Sequence, residues 1–182
     1  MTTEQKLRIF IATFLLYCLH KKLPWLRLQN KYCCLTYIDY LFINELEAEM
    51  LTGVKLTDYN FVPDAAACIK ACNIILAHGV NNWVILHFPY GAIAVSKQGE
   101  IYKQGSVIIP QELIVGAVGA GDAFAAGVLA GVHNNVPMQE CLKLGVAASA
   151  MCLRSASSSE GVKPISECLD FAEQLGFRPT TS

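Results

Sequence analysis

Gly116-Ala-Val-Gly-Ala-Gly-Asp122-Ala-Phe-Ala-Ala-Gly-Val-Leu-Ala-Gly131 is the stretch that decides how this chain is read. Gly119, Ala120 and Gly121 run directly into Asp122, and an apolar helical pattern follows at Phe124, Val128, Leu129 and Val132. Small residues at a helix start let a ligand approach bare backbone N–H groups. Those groups and the helix dipole favour an anion. A carboxylate in the same turn is a poor neighbour for a resting phosphate. It is well placed to take a proton from a hydroxyl that attacks one. An anion hole beside a base reads as phosphoryl transfer to an alcohol. Taken alone, the same four residues also fit a plain structural turn.

Outward from this stretch the pattern alternates. Tyr40–Ile43 reads as a short buried strand, and Glu45–Thr52 as a helix stopped by Gly53. Pro63-Asp64 opens a helix that carries Cys68, Cys72, Ile75 and Leu76 on its apolar stripe as far as Ala77. Trp83–Phe88 is a continuous apolar run suited to a parallel strand covered on both faces. Ala92–Ser96 and Ile101–Ile109 flank a Gln98-Gly99 turn and predict an antiparallel pair. Helices are expected from Asp122 to about Asn134, from Pro137 to about Leu153, and from Pro164 to Leu175. This order is that of an α/β fold.

At 182 residues one domain is the default, and 53% hydrophobic against 16% charged residues suits a packed core. A formal net charge of −1 with no Lys/Arg run leaves no footprint for nucleic acid. The eight cysteines include no CxxC pair. Cys68 and Cys72 lie one turn apart, as half a metal site would, but buried packing in a reducing, cytoplasmic setting explains them better. Leu7–Leu19 is apolar but shorter than the ~18 residues of a spanning helix, so a buried helix is expected there rather than a membrane segment. Residues 1–34 mix bulky apolar and basic residues with little turn chemistry, and form an atypical segment set apart from 35–182.

Asn44-Glu-Leu-Glu47 supplies a second element, just past the carboxyl end of the first strand in the orderly part, where ligand groups gather in open parallel sheets. Asn44 and Glu47 there could hold Mg²⁺ through its waters. They also fit a helix N-cap with Glu47 completing a capping box, and the two roles are compatible.

Together these residues resemble the PfkB, or ribokinase-like, carbohydrate kinases. Gly119, Ala120, Gly121, Asp122 and Phe124 match the family's Asp-Thr-x-Gly-Ala-Gly-Asp-x-Phe signature. Asn44 and Glu47 match its Asn-x-x-Glu motif, and the resemblance runs from Tyr37 to about Gly176. It implies a partial three-layer fold, a mostly parallel sheet with helices on both faces, and ATP-dependent phosphorylation of a sugar hydroxyl. Asp122 would be the general base. The N–H groups of Gly119, Ala120 and Gly121 would form the anion hole. Asn44 and Glu47 would order Mg²⁺ and its waters, and the helices after Asp122 would line the adenine side of the ATP pocket.

Three departures bear on these implications. Gly116-Ala117 stands where the family has Asp-Thr, which counts against the monovalent-cation site that this Asp helps to build. Of the family's Thr-x-Gly-x-x-Gly loop, Leu86-His-Phe-Pro-Tyr-Gly91 keeps only Gly91 as a nucleotide-loop residue. His87 there reads either as a phosphate contact or as structural. The family's N-terminal half, with its sugar motif and lid, has no counterpart, so the expectation is a truncated form with an open sheet edge, an uncovered apolar face and a tendency to self-associate. Two other readings stay open: a non-enzymatic remnant that at most binds nucleotide, and a nucleoside or vitamin kinase of the same superfamily.

Overall fold

The computed structural model describes residues 9–11, 32, 34–57, 62–157, 161 and 163–180. A five-stranded sheet runs in sequence order through β1 (Ile9–Ile11), β2 (Tyr40–Asn44), β3 (Trp83–Phe88), β4 (Gly91–Ser96) and β5 (Ile101–Gly105). The β1–β2 and β2–β3 pairs are parallel, and the β3–β4 and β4–β5 pairs are antiparallel. The sheet is therefore mixed, because tight turns can join only antiparallel strands whereas β2 and β3 need a crossover. That crossover is made by α1 (Glu45–Thr52) and α2 (Ala65–Ala77). After β5 come α3 (Ala120–His133), α4 (Met138–Cys152) and α5 (Ile165–Leu175).

Side-chain alternation along the strands separates two cores. Leu41, Ile43, Val84, Leu86, Ile93 and Val95 face α1 and α2. Phe42, Ile85, Ala92 and Ala94 face α3, α4 and α5. The expected strand after Gly99 is shorter than its apolar pattern. β5 stops at Gly105 because the chain turns away to meet the C-terminal segment, with Ile108 N–H donating to the Gly176 carbonyl and Arg178 N–H to that of Ser106.

One expectation is corrected here. The helix over Leu7–Leu19 does not form at its start, where Ile9–Ile11 is a strand in register with Tyr40–Phe42. The Ile-Phe-Ile sequence suits an extended backbone, and β2 offers it a free row of hydrogen-bonding groups. The remainder of that run lies outside the described residues. For the same reason β1, and not β2, is the edge strand of the sheet among the described residues, and Leu41, Phe42 and Ile43 are each only 1% exposed. None of the helices described is long and apolar enough to cross a membrane.

Candidate active site

The carboxyl ends of β2 and β3 meet the amino end of α3. Asn44 and His87, the paired residues at those strand ends, follow Phe42 and Ile85 by two positions and so face the α3 side of the sheet. Phe42, Asn44, Glu47, His87, Gly119, Gly121 and Asp122 line one cavity of about 260 Å³. Residues far apart in sequence are thus brought together, both motifs included.

Asn44 caps α1, its side-chain oxygen accepting from the Glu47 N–H at 2.9 Å. Glu47 returns the bond, its Oε2 accepting from the Asn44 N–H at 2.9 Å. The capping box expected from sequence is formed, and it fixes both side chains at the cavity wall. Burial of Glu47 raises its pKa, against the lowering effect of the Asn44 N–H bond. Each residue spends one polar atom on the other. What remains is the second carboxylate oxygen of Glu47 and a second lone pair on Asn44 Oδ1, both acceptors, and no group of three metal-ligating side chains occurs among the described residues. This donor set fits Mg²⁺ held through its own waters, which the ion retains readily, and not direct caging.

Gly119 precedes α3 with φ 85°, a left-handed conformation that a β-carbon disfavours. Its carbonyl accepts the Ala123 N–H at 2.8 Å, and the Ala120 N–H turns back to the Ala117 carbonyl at 3.2 Å. Among the described residues the N–H groups of Gly121 and Asp122 find no acceptor in the protein. Of the Gly119, Ala120 and Gly121 N–H groups read from sequence, that of Ala120 is spent on Ala117, those of Gly119 and Gly121 have no acceptor among the described residues, and Asp122 adds one more. The Asp122 side chain is exposed at the cavity mouth.

Gly91 is elsewhere. It closes the β3–β4 turn with φ 154°, a β-carbon on it would overlap the Gln104 carbonyl oxygen, and it does not line the cavity. Gly116 donates to the Leu153 carbonyl at 3.2 Å, and the Ser155 carbonyl oxygen stands 3.1 Å from where its β-carbon would be. Phe42 was not singled out by sequence reasoning, although its position two before Asn44 on one strand was the available signal. Cys68 and Cys72 are buried thiols in the α2 core, Cys68 pushed up to about 12 by burial first and by nearby carboxylates second.

A second cavity of about 210 Å³ lies along the other flank of α3, walled by Ala123, Ala126, Gly127 and Ala130, with Cys152 and Lys163 across from them.

The sequence pattern described as pfkB family carbohydrate kinase matches residues 6–165, and the chain belongs to that family. Adenosine kinase 1 of Arabidopsis thaliana is 29% identical over 132 residues, which are 72% of this chain and 38% of that protein. The 5-dehydro-2-deoxygluconokinase of Geobacillus kaustophilus is 35% identical over 91 residues, 50% of this chain and 26% of that protein. The structure of Arabidopsis thaliana ribokinase complexed with ribose and ATP superposes with a TM-score of 0.63 at 24% identity, over 78% of this chain and 43% of that one. The ribokinase-like fold is shared, and the chain spans well under half the length of these relatives.

Proposed function

We propose that this chain carries the ATP-binding and base-bearing part of a kinase that phosphorylates a sugar hydroxyl. The observation that carries the reading is the single cavity in which Asn44, Glu47, Gly121 and Asp122 converge. In this reading the free N–H groups of Gly121 and Asp122 hold the transferring phosphoryl group where negative charge develops. The Asp122 carboxylate takes the proton of the acceptor hydroxyl as its oxygen attacks phosphorus, and ADP leaves on the opposite side. Bound Mg²⁺ would neutralise phosphate charge, and the capping box holds Asn44 and Glu47 in place for its waters. The adenine would lie against the small-residue flank of α3, in the second cavity.

A nucleoside hydroxyl is the second reading of the acceptor, favoured by the similarity to adenosine kinase 1. The division into residues 1–34 and 35–182 is proposed on sequence pattern alone, and the family match begins inside the first part, at residue 6. The cytoplasmic setting rests on the free thiols of Cys68, Cys72, Cys141, Cys152 and Cys168.

Calorimetric titration of the chain with ATP, with and without Mg²⁺, tests the reading. Binding should require Mg²⁺ and should weaken about tenfold in Glu47→Gln, which keeps the capping bond and removes the charge. ATP that gives no heat of binding up to about 1 mM, an affinity near the weak limit for a specific site, would sink it.

A further inference from the structure

The phosphate turn has a neighbour that neither motif contains. His87, the residue before the last of β3, lies in register with Asn44. Its ring rests on Phe124, with centroids 5.2 Å apart and planes inclined by 38°. Its Cε1 and Nε2 atoms lie 3.1 and 3.6 Å from where a β-carbon on Gly121 would stand. The Cε1–Nε2 edge of the ring therefore stands against Gly121 in the first turn of α3, and Gly121 and Asp122 are the residues of that turn whose N–H groups have no acceptor. Among the described residues neither ring nitrogen has a hydrogen-bond partner, and no fully buried side-chain polar atom is left unpaired. The ring nitrogens consequently open onto the 260 Å³ cavity, which His87 lines.

The imidazole has no protein partner and faces the cavity beside an anion-holding turn, so its nitrogens are available to a ligand bound there. We propose that His87 is a phosphate-binding residue, its Nε2–H supplying a third donor to the oxygens held by the Gly121 and Asp122 N–H groups. The assignment rests on the kinase reading above. Asp122 and Phe124 face the ring from α3, and Asn44 and Glu47 share the cavity from the β2–α1 corner. Burial lowers the ring's pKa to about 4, against the pull of the Asp122 carboxylate. The ring is therefore neutral at pH 7, one nitrogen carrying hydrogen and the other not. A neutral donor at this position holds phosphate without displacing a cation. A β-carbon at position 121 would crowd the ring, which would have to give by a few tenths of an ångström.

Sodium tripolyphosphate with Mg²⁺, and adenosine as a phosphate-free probe, separate the alternatives when titrated into the full chain and its His87→Leu and His87→Gln variants. His87→Leu should weaken tripolyphosphate binding about tenfold, the typical worth of a hydrogen bond to a charged group. His87→Gln, whose amide N–H reaches a similar place, should recover most of it, and adenosine affinity should not change. In the wild-type chain the His87 Nε2 resonance should shift on adding tripolyphosphate, a readout that needs no variant to fold. Equal tripolyphosphate binding by the wild type and His87→Leu overturns the role of His87 and leaves the kinase reading standing. Parallel losses for tripolyphosphate and adenosine, with no rescue by Gln, overturn it too and make the ring a structural support. A wild-type chain that binds neither tripolyphosphate nor Mg-ATP overturns both readings.

Discussion

The two faces of the central sheet are built from different materials. Toward α2 the strands present Leu41, Ile43, Val84, Leu86, Ile93 and Val95, and the helix answers with Ala65, Cys68, Ala71, Cys72, Ile75 and Leu76. Bulk on the sheet meets a partly small-sided helix, and none of the buried residues of this core lines the cavity. Toward α3 and α4 the strands present small residues at Ala92 and Ala94. There the two helices close on each other instead. A β-carbon on Gly127 would stand 2.6 Å from the Leu144 carbonyl oxygen, and one on Gly145 would stand 2.6 Å from Val128 and 2.8 Å from Phe124. Phe124 in turn carries the His87 ring. One face therefore supplies stability, and the other supplies stability while also setting where the amino end of α3 lies. The lesson is that packing density alone does not mark a functional layer. What marks it is which helix end the packing fixes.

This contrast can be broken at several points. The largest effect is expected at the end of the chain of contacts. Asp122→Asn should lower turnover by ~10²–10⁴, the usual contribution of a general base, with Mg-ATP affinity nearly intact. Steady-state ADP release from Mg-ATP across a panel of sugars and nucleosides measures it, and turnover within about threefold of the parent would remove Asp122 from the base role.

Next, the α2 face should be costly but silent at the site. Ile75, fully buried there, loses its side chain in Ile75→Ala at about 3 kcal/mol of stability. Urea unfolding should record that loss, while Mg-ATP binding to the folded fraction stays as in the parent. A binding loss as large as the stability loss would show that the two faces are not separable.

Gly145→Ala should cost less, roughly 1–3 kcal/mol for overpacking, yet it should also weaken Mg-ATP binding, because the new methyl presses on Phe124. Destabilisation without any change in binding would break the link from the α3–α4 contact to the turn.

The smallest effect is absent at pH 7 and grows with acid. The folded pKa of His87 is depressed to about 4, whereas an unfolded histidine titrates near 6.5. Between those values the unfolded chain binds the extra proton, so the stability contributed by the neutral ring is complete above about 6.5 and is lost as pH falls toward 4. Unfolding of the metal-free chain across this window should show that decline, and His87→Leu should flatten it. Parallel profiles for the two proteins would mean that the ring is not desolvated.

Much of the site was legible before any coordinates. The capping box at Asn44 and Glu47 is a relation between residues three apart, and its two hydrogen bonds form as the spacing requires. The Gly119–Asp122 turn was readable for the same local reason. The strand at Ile9–Ile11 was not, because its periodicity fits either helix or strand over so few residues, and the parallel edge of β2 decided it. Gly91 looked like a nucleotide-loop residue, but the close approach of the Gln104 backbone explains its lack of a side chain. That the Ala120 N–H is spent on Ala117 could not be read either, since it depends on how the turn before α3 closes.

By itself the sequence determined the alternation of strands and helices, the two family motifs and the types of residue available for chemistry. Those properties are set by spacing within a strand or a few helical turns. Only the tertiary structure decided that Phe42, Asn44, His87 and Asp122 share one cavity. The β2–β3 register places Asn44 beside His87, and the Gly127 and Gly145 contacts seat α3 so that its first turn meets them. Register and helix seating are fixed by packing across the whole sheet, a long-range balance of burial and close contact that no local pattern encodes.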